Sequence, residues 1–583
     1  MKLLKLFLSV IIVSLIYVPL KAQNNTWYFG NNAGMHFSNG SVIALTNGAS
    51  FAYDCSASIS DGSGNLIIYT DGTTIYNKNH VAMANGTGIL GNINGGQVAI
   101  IVPQPSSSNI YYVFTVDAFA GSNGFRYHVV DISLNSGLGA VTSKNNLLFS
   151  PSTEKLDAVY NSCDNSYWIL THRWNSNTFS AYKLTSTGLN TTPVNTNIGA
   201  NLSGNTNNGI GQLTFADNGK RVANALYDIG AFELYDFNMS TGVLSNLITI
   251  PNYTRAWGTA FSPDNSLLYV TQWYGQNITQ FNLNAGSVSS IINSAVSVGN
   301  ASGPGTSGYH IGYLELAPDD KIYAAVYDDT YLAVINSPNK IGINCNMVDN
   351  GFYLAGKKSN AGLCRTVQYP RHLNEMSICE GDSILIFGNY ESNSGKYTDT
   401  IKTSLNCDSI VVISLVVNQA PNVTINNFSN DTVCTKTPPI LLPQGNPSGG
   451  YYTGSTGITG NYFDPSLSGA GNFYITYNYT DNNGCKNADS TLITVTYCLG
   501  INEFLNSNIS VYPNPNDGNF IINLGDYDEF IEYEITSIDG RIINTGSNTS
   551  KLIPINISNE SNGIYIIKVS DKLSSKFFRI NKL

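Results

Sequence analysis

Charge is scarce in this chain. Only 12% of its residues are Asp, Glu, Lys or Arg, about half the usual fraction for a globular protein. The net charge is −10, and no basic run follows the N-terminus. A nucleic-acid backbone is therefore excluded as a partner. No window carries a sustained heptad, which excludes coiled coils and long helices. The nine cysteines include no CxxC pair, so zinc-knuckle and thioredoxin chemistry are excluded. The sequence contains no HExxH, no GxSxG and no glycine-rich loop ending in Lys-Ser or Lys-Thr. The zinc proteases, nucleophile-elbow hydrolases and phosphate-loop enzymes that carry those motifs are set aside. The six histidines, His36, His80, His128, His172, His310 and His372, stand singly.

What is abundant points to strands and turns. The 583 residues include 54 Gly, 36 Tyr and 24 Phe, and Asn outnumbers Gly. This is turn-rich, β-favouring chemistry, and the length suggests roughly four domains. Residues 1–22 read as a secretory signal: Lys2 and Lys5, an apolar stretch over 6–19, then the small Ala22. That stretch is short of the ~20 residues a span requires, so no transmembrane segment is expected after cleavage. Export makes disulfides the default. The expected pairs are Cys379 with Cys407 and Cys434 with Cys485 in small modules, and Cys345 with Cys364 in the first domain. Cys55 with Cys163 is a weaker pairing, and Cys498 is left over.

From about residue 24 to 372 a unit of 44 to 57 residues repeats. Each has an inner strand, a Gly/Asn/Asp turn and two further strands. Ile67, Tyr111, Trp168, Val222, Tyr269 and Tyr323 mark the second strand of each copy. One such unit cannot bury both faces, so the units are expected to stack radially as a β-propeller. Six units are complete. Strands over 27–29, 35–37 and 42–45 joined by an inner strand over 363–367 would make a seventh, so seven blades are favoured and six remain the alternative. Residues 377–418 and 419–498 read as small all-β modules, the first holding a disulfide and the second Ig-like. Residues 500–583 read as a compact β-sandwich with Asn-Pro, Asp-Gly and Asn-Gly turns.

That last unit carries Tyr512-Pro513-Asn514-Pro515 with Gly518, then Asp539-Gly540-Arg541, then Gly563-Ile564-Tyr565 leading into Val569. These motifs closely resemble the type A sorting domain of the type IX secretion system of Bacteroidetes-type bacteria. The resemblance implies handling by the type IX machinery, export across the outer membrane, removal of the tail, and release or attachment at the cell surface. The first domain carries Trp27-Tyr28-Phe29-Gly30, Ala33-Gly34, Ser58-Ile59-Ser60-Asp61, Gly64-Asn65-Leu66 and Tyr69-Thr70-Asp71-Gly72. It resembles a propeller of large surface proteins from the same bacteria, a family without defined chemistry. Asp-Ser or Asp-Thr steps at Asp382, Asp399, Asp408, Asp431 and Asp489 resemble the O-glycosylation acceptor pattern of that group.

In a propeller, the loops between second and third strands share a face with the starts of the inner strands. That face is expected to gather His172, Arg173, Trp174, Asp228, Arg255, Trp257, Trp273, Tyr274, His310 and Asp328, with Asp71, Asp117, Tyr227, Tyr309 and Asp329 nearby. Aromatic rings beside Asp and Arg suit a glycan or protein ligand. No catalytic residue, cofactor or metal ligand is assigned. Calcium at the turns of Asp319 and Asp320 or Asp328 and Asp329 is left open, although the EF-hand pattern is absent. Three functions fit: a surface binding or adhesion protein, a secreted enzyme acting on a polysaccharide or small ester, and a structural component of the surface or motility apparatus. A lactonase-like site would need His172 and His310 to converge with Asp228 or Asp328.

Overall fold

The computed structural model describes residues 24–38, 41–301, 310–402, 407–498, 508–528, 530–572 and 574–583, without the side chains of His372, Asp408 and Ser409. The expected signal at 1–22, and Tyr309, lie outside the described residues. The chain forms two compact units, 1–378 with 382–417, and 379–381 with 418–583.

The first unit is a β-propeller. Four-stranded antiparallel sheets follow one another at 152–202, 213–251, 256–300 and 311–353; two further sets of four antiparallel strands, 56–87 and 99–149, are joined edge to edge and with Cys364–Arg365 into one nine-stranded sheet, and a three-stranded sheet occupies 26–45. The second-strand markers all fall in second strands, from Leu66–Thr70 to Ile322–Val326. Inner strands are buried on both faces, as strands at the centre of a fold must be. All ten residues of Ser152–Asn161 are buried, and so are all six of Ala256–Phe261. Outer strands such as Leu244–Pro251 are mostly exposed. The three-stranded sheet packs Trp27, Phe29 and Phe37 against Tyr323 and Leu332 of the 311–353 blade and Leu354 just after it.

The returning chain departs from the expected closure. Cys364–Arg365 pairs in parallel with Ser56–Ser60, not with the 26–29 strand, matching Cys364 to Ser56 and Arg365 to Ala57. Farther on, Gln368 bridges in parallel to Val159. The segment thus crosses the central channel from one inner strand to another. Arg365 lies fully buried between Asp157 and Glu315. Gln97 and Gln212 make similar cross-ties: Gln97 grips both backbone groups of Leu213, and Gln212 binds Thr259 N and Leu314 O. Polar side chains here complete hydrogen bonds that splayed inner strands cannot give each other.

The strands Gly395–Lys402 and Asp408–Asn418 pair within a small module. Its Cys407 is bonded to Cys163, which sits on the turn after Ser152–Asn161. Arg371 pairs with Asp217 and Asp320, on first-to-second-strand turns of two blades, and Lys396 also reaches Asp320. This module is therefore fastened to the propeller face opposite the second-to-third-strand loops.

The cysteine expectations are corrected. Cys163 pairs with Cys407, Cys379 with Cys485 and Cys434 with Cys498. Cys55, Cys345 and Cys364 are free and buried. Pairing by nearness in sequence fails because two of the bonds tie segments 244 and 106 residues apart.

In the second unit, Thr432–Cys434, Lys486–Thr496, Gly471–Thr480 and Tyr451–Thr453 form one sheet around Phe463, Ile475, Ile493 and Val495. Beyond it, Ser510–Tyr512, Asn519–Asn523 and Leu552–Asn556 form one sheet, and Ile531–Ser537, Ile542–Asn548, Gly563–Ser570 and Ser575–Lys582 form the other. Phe520, Ile522, Ile535, Ile567, Val569 and Ile580 fill the core of these last two sheets.

Candidate functional site

The candidate residues divide into three groups. The first is an aromatic column. Tyr313 and Trp257 stack with ring centroids 5.0 Å apart and planes 10° from parallel. Trp273 stacks on Trp257 at 4.5 Å and on His310 at 4.7 Å. The Tyr274 ring meets His310 edge-on at 4.2 Å, and the Arg255 guanidinium lies 4.5 Å from the Tyr274 ring centre. Tyr227 and Tyr327 close the sides, on Trp257 and Trp273. Backbone bonds fix these loops to one another: Arg255 N donates to Tyr227 O, Trp273 N to Arg255 O and Tyr327 N to His310 O. Trp257 and Tyr313 are buried, whereas Tyr274 is 56% exposed. Among the described residues the Trp257 indole N–H and His310 Nδ1 have no hydrogen-bond partner. Burial and the nearby Arg255 charge hold the His310 imidazolium below its usual range.

The second group does not join the column. His172 is buried in Ser166–Arg173 with its ring edge-on to Phe179 and Nδ1 on Arg173 O. Burial, with the charge of Lys155, pushes its pKa down to about 3. It is a neutral packing residue. Arg173 lies 4.2 Å from the Phe149 ring centre and donates to Ser180. Trp174 packs on Leu202, Leu226 and Ala231.

The third group is acidic. Asp228 is exposed on its turn, and Asp328 pairs with Lys358. Asp71, Asp117 and Asp329 accept N–H bonds from their own turns. The lactonase-like convergence of His172, His310 and these carboxylates is not formed. The calcium options also find their oxygens engaged: Asp320 by Arg371 and Lys396, Asp319 by Lys321 N and the Tyr323 hydroxyl. Among the described residues no three His, Cys, Asp or Glu side chains are grouped to hold a metal.

Sequence reasoning missed two carboxylates where the inner strands begin. Glu154, in Ser152–Asn161, accepts the N–H groups of Gly96 and Phe119 at 2.6 and 2.8 Å. Burial raises its pKa to about 7. Asp54 precedes Ser56–Ser60, and burial together with the Glu154 charge pushes it well above the usual carboxylate range. The Tyr313 hydroxyl faces these groups, and among the described residues only the Gly211 N–H lies near enough to answer it, with no well-formed hydrogen bond. One signal was visible: Glu154, Lys155 and Asp157 interrupt a strand whose counterparts, Glu315 apart, carry no charged residue.

The C-terminal motifs occupy structural roles. Asn514 ties the first strand to the last, through its Nδ2 to Arg579 O and its Oδ1 to Asn581 N. The 512–513 and 514–515 peptide bonds, before Pro513 and Pro515, are cis. Gly518 has φ +100°, and a Cβ there would lie 2.6 Å from the Ser558 Cα, so only glycine fits without strain. Gly540 N donates to Ser537 O at the Asp539-Gly540 turn. Tyr565 is buried and donates its hydroxyl to Ser561 O, two residues before Gly563.

Residues 510–581 match the family described as the secretion system C-terminal sorting domain. The chain carries a type IX sorting domain. It is accordingly exported across the outer membrane to the cell surface or the extracellular space. Among the described residues no helix is long and apolar enough to cross a membrane. No protein of curated function matches the sequence. Among solved structures, a functionally unknown protein from Desulfotomaculum acetoxidans is similar at 14% identity and TM-score 0.36, over 59% of this chain and 99% of that one. A putative 6-phosphogluconolactonase from Bacteroides uniformis is similar at 14% identity and TM-score 0.34, over 53% and 92%. PorZ, a surface component of the type IX secretion system of Porphyromonas gingivalis, is similar at 11% identity and TM-score 0.26, over 95% and 68%.

Proposed function

We propose that this exported chain is a surface binding protein whose propeller is the ligand-binding head. One observation carries the reading. Six exposed aromatic residues belong to the described part of the propeller; five of them, Phe51, Tyr53, Phe119, Tyr274 and Tyr327, come from loops of one face, and the sixth is Tyr353. Exposed aromatic residues gathered on one face mark interaction sites. The opposite face holds the 395–418 module through a disulfide and ion pairs. The small β modules, the second read as Ig-like, serve as a spacer toward the sorting domain. Thr400 and Thr432 in the acceptor-like steps are exposed and would carry the glycans of such a spacer.

The test is retention of the purified full-length chain on a panel of polysaccharides, bacterial and host glycans and surface proteins, with released product assayed in parallel. Retention without product is expected, weakened at least tenfold by Arg255→Ala or Tyr274→Ala. Released sugar or acid would replace this reading with an enzyme. No retention on any surface would favour a structural component.

A further inference from the structure

Two buried carboxyl groups stand at the channel mouth on the aromatic face. Asp54 and Glu154 both lie there, and neither takes part in an ion pair among the described residues. The two buried cations nearby are engaged elsewhere. Lys155 donates its ammonium to the carbonyls of Ile210, Gly211 and Ala225. Arg365 holds Asp157 and Glu315. The Tyr313 phenol, 1% exposed, points its oxygen toward Gly96, on whose N–H Glu154 sits, and among the described residues no well-formed hydrogen bond satisfies it. A buried polar group without a partner is costly unless a ligand supplies one.

Apolar side chains surround this mouth on separate loops. Phe51 and Tyr53 meet edge-on at 5.0 Å just before Asp54. Phe119, on the loop pinned by Glu154, is exposed at φ +53°. Tyr274 and Arg255 have φ of +66° and +58°. Bulky residues held in the left-handed region are strained, and such strain collects at functional sites. The ring faces of Trp257 are already covered by Tyr313 and Trp273, and those of Trp273 by Trp257 and His310. The column therefore offers no flat platform for a pyranose ring. What remains is a broken apolar rim around two carboxyl groups, the complement of a polypeptide carrying one basic side chain among apolar neighbours.

We propose that this face docks a polypeptide segment that inserts a lysine or arginine side chain into the channel mouth between Asp54 and Glu154, with its apolar neighbours on Phe51, Tyr53 and Phe119. The proposal rests on the propeller being the binding head and names the ligand class. An inserted cation would also counter the burial that keeps both carboxyl groups above their usual range, and the Glu154 charge that raises Asp54.

The test selects a randomised twelve-residue peptide library displayed on phage against the full-length chain and against Asp54→Asn and Phe119→Ser. A melting curve for each variant checks folding. The expected result is enrichment of peptides with one Lys or Arg flanked by apolar residues. Replacing that residue by norleucine should weaken a synthetic winner at least tenfold, and Asp54→Asn should weaken it similarly. Peptides enriched without a basic residue, or unaffected by Asp54→Asn, overturn the proposal and leave the binding head standing. Retention of chitosan oligomers in an Asp54-dependent way, with no peptide enriched, replaces the polypeptide by an amino sugar. Failure of peptides, chitosan and the wider panel alike overturns both the proposal and the binding head.

Discussion

Arg365 and Asp157 lie 2.9 Å apart at the centre of the propeller, both essentially inaccessible to solvent. Glu315 binds the other arm of the same guanidinium. Burial raises both carboxyl groups, Glu315 to about 8, while the Arg365 charge opposes the rise. The cation thus holds together inner strands from two blades and the returning segment.

Arg365→Met is expected to destabilise the chain by about 3–5 kcal/mol, because it strands two buried carboxylates. Urea unfolding of the full chain checks this. Adding Asp157→Asn and Glu315→Gln to Arg365→Met should recover much of the loss, since the orphaned charges are then gone.

Acid should weaken the propeller through its buried histidines. Burial lowers the pKa of both His128 and His172 to about 3. The unfolded chain takes up protons on these rings below about pH 6.5 and the folded chain does not. Their contribution to stability is therefore intact above pH 6.5 and is lost progressively between about 6.5 and 3. His172→Asn is expected to flatten the fall by up to about 1.4 kcal/mol per pH unit within that window. Urea midpoints at pH 7.5, 6.0 and 5.0, compared with the parent chain, give the answer.

Peptide mapping without reduction should recover the three linked pairs Cys163 with Cys407, Cys379 with Cys485 and Cys434 with Cys498. Cys55, Cys345 and Cys364 are buried and should alkylate only after unfolding. Replacing Cys163 and Cys407 together by Ser is expected to cost about 2–4 kcal/mol and to open the 395–418 module to protease.

Gly518→Ala should impair export. The new methyl group would meet the Ser558 backbone and the Lys582 side chain at a positive φ. Strain of this kind costs on the order of 1–3 kcal/mol. Fractionation should find the variant chain retained inside the outer membrane, while a neighbouring exposed change such as Asp517→Ala leaves export intact.

The repeat was legible because each blade places an apolar or aromatic residue at a fixed point of its second strand, from Ile67 to Tyr323. The sorting domain was legible because Gly518 and Tyr565 answer local geometric demands that leave fixed spacings. Half of the candidate site was legible for the same reason: loop position alone brought Arg255, Trp257, Trp273, Tyr274 and His310 together. His172 was misread because its loop position looks identical while its ring turns inward onto Phe179. The disulfides, and the parallel pairing of Cys364–Arg365 with Ser56–Ser60, were not legible, because they join segments with no shared pattern. Asp54 acquires its meaning only from Glu154 and Tyr313, which lie on other blades.

The crossing of the channel by residues 361–368 also sets an order of assembly. The first strands of the propeller cannot be locked until a segment more than 300 residues later has arrived between them. Until then Asp157 and Glu315 face an empty centre without their cation, and the ring has no reason to close. Folding must wait for the far end of the head, which makes it a slow, all-or-none step. A chain cut short before residue 365 would be left as loose sheets, not as a smaller propeller.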